Sequence, residues 1–122
     1  MTAEKPVPES QDDRYKKIWA VVSSIPEGCV LNYGEVARLA GMPGRARMVG
    51  RAIGRAPKKL KLPWFRVVNA QGGISFKKGS APYTRQRKLL ESEGVEFDQD
   101  TIDLQRFSPE QAVDRLLWGP DG

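Results

Sequence analysis

Apolar positions recur at helical spacing in Tyr15, Ile18, Trp19, Val22 and Ile25. A first amphipathic helix is therefore predicted over about Asp13 to Ser24, ended by Pro26 and Gly28. Cys29, Val30 and Leu31 form a short extended link. A second helix begins at Asn32, a good N-cap, with Glu35 where a capping-box acid belongs; Val36, Ala37, Leu39 and Ala40 supply its buried side. Gly41 to Gly44, with Pro43 inside, predict a tight turn, and a third helix covers about Arg45 to Arg55, stopping before Pro57. Two short helices joined by a glycine-bearing turn make a helix-turn-helix pattern.

The second half of the chain alternates differently. Phe65 to Asn69 and Gly73 to Phe76 read as two short strands, with Gln71, Gly72 and Gly73 turning between them into a small hairpin or wing. Lys58 to Lys61 and Lys77 to Pro82 are basic loops. Tyr83 to Glu93 reads as a helix closed by Gly94, and Val95 to Phe107 as irregular or weakly extended. Ser108, Pro109 and Gln111 mark the start of a last helix, whose apolar side is Val113, Leu116, Leu117 and Trp118. The predicted fold class is mainly α with a small β wing, a helix-turn-helix or winged-helix DNA-binding domain. Residues 1–12 are expected to be a disordered leader and 13–118 a single domain.

Composition narrows the chemistry. Of 122 residues, 20 are Lys or Arg and 15 Asp or Glu, an excess that favours a polyanionic partner but also suits an ordinary basic surface. There is no histidine and one cysteine, Cys29. No Ser-His or Cys-His pair is available within the chain, no zinc site is expected, and no cofactor is implied. A single cysteine excludes an intramolecular disulfide and fits a reducing compartment. The polar start with Pro6 and Pro8 is not a signal peptide, and no apolar run is long enough to span a bilayer. A cytoplasmic protein is expected.

Two segments carry candidate chemistry. Arg47, Arg51 and Arg55 step by four along the third helix, away from the stripe of Met48, Val49, Ala52 and Ile53. Such a row is either a solvated basic face or a set of contacts to phosphates and bases. Pro63-Trp64-Phe65-Arg66-Val67-Val68 is either aromatic core packing or part of a site.

Here a family resemblance appears. Asn32-Tyr33-Gly34-Glu35-Val36-Ala37 resembles the Ser/Thr-Tyr-x-x-(Val/Ile/Leu)-Ala segment of the alkylguanine-DNA alkyltransferases. Ala46-Arg47-Met48-Val49-Gly50 resembles their Ala-Arg-x-Val-Gly helix, and Pro63-Trp64-Phe65-Arg66-Val67 occupies the frame of their Pro-Cys-His-Arg-Val motif. Leu89 to Gly94 is similar to their closing Glu-Gly helix end. Order and spacing agree, and the resemblance runs from roughly Asp13 to Val95.

The resemblance implies a DNA-binding domain of the alkyltransferase type that departs from the enzymes. Trp64 stands where their cysteine accepts the alkyl group, Phe65 where their histidine activates it, and Ala56-Pro57 where they carry Asn-Pro. A tryptophan at the acceptor position marks the alkyltransferase-like proteins; their usual Pro-Trp-His-Arg is also altered here, by Phe65. The implied function is non-enzymatic: recognition and flipping of O6-alkylguanine in double-stranded DNA, and marking of the lesion for nucleotide excision repair. The third helix would enter the minor groove, Arg47 fill the gap left by the flipped base, Tyr33 press on the adjacent phosphate and Arg51 contact the backbone. The lesion pocket would comprise Pro63, Trp64, Phe65, Val67, Lys77 and Tyr83. Implied partners are lesion-bearing duplex DNA and the damage-recognition proteins of nucleotide excision repair, with no membrane. The protein would act as a monomer, associated with the bacterial nucleoid when on DNA. The rival readings are a winged-helix sequence-specific transcriptional regulator, with Arg47 and Arg51 in the major groove, and an enzyme that uses Cys29.

Overall fold

The computed structural model describes residues 11–112. Helix α1 spans Gln11–Ser23 and buries Tyr15, Ile18 and Val22, the stripe its spacing predicts. Gln11 and Asp12 are thus helical rather than part of a disordered leader, and Asp12 and Asp13 place negative charge in the first turn, where the helix dipole favours it. Residues 1–10 and the apolar positions from Val113 to Trp118 lie outside the described residues.

Strand β1 (Leu31–Asn32) runs directly into α2 (Tyr33–Leu39). The Asn32 side chain accepts a 2.8 Å hydrogen bond from the Glu35 amide, so the predicted cap forms and starts the helix. Helix α3 (Ala46–Gly54) buries Met48, Val49 and Ala52. It is tied to α1 by the Trp19 indole N–H, which donates to the Ala52 carbonyl at 2.7 Å. The three helices close over one core that includes Ile18, Val22, Val36, Ala37, Val49, Ala52 and Val67, with Tyr33, Ile53 and Leu62 packed at its edge. Fully burying a side chain such as Ile18 or Val49 contributes roughly 1.5–3 kcal/mol, which outweighs the weak helix propensity of a seven-residue α2.

The predicted hairpin of 65–69 with 73–76 does not form. Trp64–Arg66 is a 3₁₀ turn, and β2 is only Val67–Val68, which pairs parallel with β1 in the register Leu31↔Val67 and Asn32↔Val68. Both valines are fully buried. A wing strand with one wet face would have exposed one of them, so β2 is drawn inside instead. The turn itself is present, held by Asn69, whose side-chain oxygen accepts from the amides of Gln71 and Gly73. Its partner is distant in sequence: the antiparallel pair β3 (Phe97–Asp98) and β4 (Thr101–Ile102), reached through a Gly73–Thr101 bridge. Gly72 has φ +85° and a Cβ there would lie 2.3 Å from the Ile102 carbonyl oxygen, so no other residue fits this crossing.

Helix α4 spans Ala81–Ser92, capped by Ser80, and ends with Gly94 at φ +89°. Val30, Val68, Leu90, Val95, Ile102 and Phe107 form a second core under it. The 95–107 segment, predicted irregular or weakly extended, contains the two short strands and also contributes Val95, Ile102 and Phe107 to this core. A final helix begins at 109–112, and Ser108 caps it by accepting from the Gln111 amide as the Ser-x-x-Gln pattern predicts. No helix among the described residues is long and apolar enough to cross a membrane.

Candidate nucleic-acid interface

The helix-turn-helix presents its charge outward. Arg45, Arg47, Arg51 and Arg55 are all exposed, while Met48, Val49 and Ala52 between them are buried. No acidic side chain among the described residues pairs with Arg47, Arg51 or Arg55. By contrast Arg38 on α2 is engaged with Glu35 at 2.8 Å. Unneutralised guanidinium groups on a rigidly seated helix repel one another unless an anion lies across them, which a phosphate backbone supplies. Tyr33 is half-buried in the first turn of α2, its ring against the core that also seats α3.

The Pro63–Val67 frame is built by residues far from it in sequence. Pro63, Trp64 and Phe65 are half-buried. The Trp64 ring meets Phe65 edge-on at 5.9 Å between centroids, and Phe76 edge-on at 6.2 Å. The Arg66 guanidinium lies 5.3 Å over the Phe65 ring. It forks onto Glu93, with Nε to Oε1 at 2.9 Å, and donates from Nη1 to the Ile25 carbonyl at 2.8 Å. The Gly28 amide donates to the same Glu93 carboxylate at 3.0 Å. Burial alone would raise the Glu93 pKa. The hydrogen bonds from Arg66 and Gly28, with the Arg66 charge, outweigh it and hold the carboxyl below its ordinary value. From α4, the buried Gln86 amide donates to the carbonyls of Phe65 (3.0 Å) and Val67 (3.1 Å). The 3₁₀ turn is therefore clamped from both sides, and the Trp64 ring has a fixed seat.

The remaining residues named from the sequence are spread more widely. Val67 is buried in the first core. Tyr83 is buried, with its hydroxyl 3.3 Å from Asp100 Oδ1 and 3.1 Å from Arg87 Nη1. Both side chains are therefore buried and not open to solvent beside Trp64. Lys77 is exposed in the loop before α4. Lys78 in the same loop pairs with Asp100 at 2.8 Å. Sequence reasoning missed Phe76, Gln86, Glu93 and Asp100. Gln86 did leave a signal: it interrupts the buried register Tyr83, Gln86, Leu90 of α4, and a polar residue in an apolar stripe requires partners. Cys29, the only thiol in the chain, is 1% exposed. Among the described residues no cluster of His, Cys, Asp or Glu is arranged to hold a metal ion.

Residues 13–95 match the model of the 6-O-methylguanine DNA methyltransferase DNA-binding domain. A DNA base-flipping protein of Vibrio parahaemolyticus is 51% identical over 83 residues, which span 68% of this chain and 81% of that one. Alkyltransferase-like protein 1 of Schizosaccharomyces pombe is 44% identical over 109 residues, 89% of this chain and 97% of that one. The crystal structure of S. pombe Atl1 in complex with damaged DNA containing O6-carboxymethylguanine superposes with a TM-score of 0.69 at 39% identity, covering 80% of this chain and 94% of that chain.

Proposed function

The chain belongs to the family of the 6-O-methylguanine DNA methyltransferase DNA-binding domain, and on that premise we propose that it recognises O6-alkylguanine in duplex DNA, flips it and holds it without chemical repair. The observation that carries this reading is Trp64. It occupies the acceptor position of the Pro-Cys-His-Arg-Val frame on a turn clamped by Gln86 and Arg66. An indole offers no electron pair able to displace carbon from oxygen, and Phe65 beside it accepts no proton. What Trp64 does offer is a rigid apolar face for an extruded base or its alkyl group.

Helix α3 enters the minor groove in this account. Arg47 fills the vacated stack, Tyr33 turns the phosphate, and Arg51 binds the backbone. Pro63, Trp64, Phe65 and Lys77 surround the lesion, with Val67 and Tyr83 behind them. The protein acts as a monomer in the cytoplasm, on nucleoid DNA. Because the lesion persists, its bound form must be passed on, and nucleotide excision repair is the route that removes a base it cannot restore.

The experiment pairs a binding measurement with a mass measurement. Duplexes with and without O6-methylguanine should differ clearly in affinity, and the protein mass should be unchanged after incubation with the lesion. Equal affinities would favour a sequence-specific regulator. A methyl adduct would make the protein an enzyme, and since Cys29 is buried it would have to arise after local opening.

Affinity for any duplex should fall steeply with salt, because Arg51, Arg55 and the lysines near Lys58 and Lys77 displace counterions. Arg51→Ala is expected to weaken lesion and normal duplex by similar factors and to lower the log–log salt slope by about one. Loss of discrimination with normal-duplex binding spared would show that Arg51 reads the lesion and not the backbone.

A further inference from the structure

Phe76 is 44% exposed, yet it is not a stray surface apolar residue. Its ring stands edge-on to Trp64 at 6.2 Å. Among the described residues the other ring set against Trp64 is Phe65, its neighbour in the chain, at 5.9 Å between centroids. An aromatic side chain left half in water beside another half-buried aromatic presents a combined apolar face, which lowers its free energy when a flat or apolar group covers it.

The loop that carries Phe76 is held by a distant part of the chain. Asp100, at the turn between β3 and β4, accepts from Lys78 (2.8 Å), from Arg87 (3.1 Å) and from the Tyr83 hydroxyl (3.3 Å). The Arg87 guanidinium also donates to the Gln99 carbonyl at 2.9 Å and lies 4.3 Å over the Phe97 ring. Ser80 closes the loop onto itself by donating to the Lys77 carbonyl. One carboxylate thus ties the 77–80 loop, helix α4 and the β3–β4 turn together, and the ring just before the loop inherits that placement.

We propose that Phe76 is a specificity-determining residue of the lesion pocket, which with Trp64 forms a two-ring apolar wall suited to extended or aryl O6 substituents, and that Asp100 is the positioning residue that holds its loop. The proposal rests on Trp64 being the lesion-binding residue. Two rings at a right angle enclose a corner. A methyl group touches one wall of it, whereas a benzyl group covers both, so selectivity among adducts is set by the second ring.

The test measures affinities of wild type, Phe76→Ala, Phe76→Tyr and Asp100→Asn for otherwise identical duplexes carrying guanine, O6-methylguanine or O6-benzylguanine. Phe76→Ala should weaken O6-benzylguanine binding about tenfold and O6-methylguanine binding only about two- to threefold, from the loss of one aromatic contact. Phe76→Tyr should restore the wild-type ratio. Asp100→Asn should weaken both alkylated duplexes while binding the unmodified duplex more tightly, because it removes a negative charge near DNA; a general loss of folding would lower all three. A Phe76→Ala variant that keeps the wild-type ratio of benzyl to methyl affinity overturns the role of Phe76. An Asp100→Asn variant in which all three affinities move together overturns that of Asp100. If wild type itself does not separate O6-methylguanine from guanine, the pocket assignment fails with the proposed function, and the wild-type arm alone reveals it.

Discussion

Arg47→Ala should lower affinity for an O6-methylguanine duplex by about a hundredfold, against no more than a few-fold for the unmodified duplex. The estimate follows from the energetics of flipping. Extruding a base costs a few kcal/mol of stacking and pairing, part of which an inserted side chain offsets, and each 1.4 kcal/mol is a factor of ten in Kd. Arg47 suits that role physically. It is exposed on α3 with no ion-pair partner among the described residues, and its helix is anchored by Met48, Val49, Ala52 and the Trp19–Ala52 hydrogen bond. A guanidinium is planar, so it stacks on bases where an ammonium would not. Unmodified guanine seldom leaves the helix, so the same truncation there removes little more than a phosphate-range charge. Tyr33→Phe should share the pattern more weakly if the hydroxyl bears on the phosphate; it is a cleaner change than Tyr33→Ala, because the ring packs on the core. A fluorescent base analogue beside the lesion should brighten with wild type and stay dark with Arg47→Ala. Brightening with the variant would mean that α3 docks without inserting a side chain, and a groove-reading regulator would become the better account.

The largest effect on stability is expected at Arg66. Its side chain is 16% exposed and that of Glu93 8%. Arg66→Ala leaves a nearly buried carboxylate with only the Gly28 amide, and breaking such a pair costs about 3 kcal/mol. For a domain of this size each kcal/mol moves Tm by roughly 4–8 °C, so thermal unfolding should show the loss directly. The pH dependence identifies its source. The folded-state pKa of Glu93 is depressed, so its contribution is fully present above the unfolded value, near 4.3, and is lost as pH falls through the lower folded value. The stability gap between wild type and Arg66→Ala should therefore be widest at neutral pH and close below about pH 4. A gap of constant size down to acid pH would mean that the cost comes from lost packing on Phe65 and the lost hydrogen bond to Ile25, not from the ion pair.

Both predictions concern residues that stood in view from the start, but they were legible to different degrees. Arg47 could be picked out because its argument is local: periodicity places it opposite Met48 and Val49 on one helix, and the structure keeps it there. The same holds for the Asn32 cap, the Ser108 cap and the Gly94 helix end, where the deciding hydrogen bonds or dihedrals lie within a few residues. Arg66 was legible as a member of a motif and not as the anchor of it, because its partner Glu93 lies 27 residues away and nothing in local spacing joins them.

The strands mark the same boundary. Val67 and Val68 were recognisable as strand formers, but strand identity says nothing of the partner. The hairpin predicted with 73–76 lost to a parallel pairing with Leu31 and Asn32, since only that arrangement buries both valines. Phe76, read as the end of a wing strand, became a ring against Trp64 because β3 and β4 claimed the Gly72–Gly73 turn from some thirty residues downstream. Helix ends, faces and charge rows were thus determined by the sequence alone, since they follow from interactions at spacings of three and four. Which strand pairs with which, which carboxylate meets which guanidinium, and which aromatic rings converge on position 64 were decided only by tertiary structure, because those choices depend on surfaces that come together after distant segments have packed.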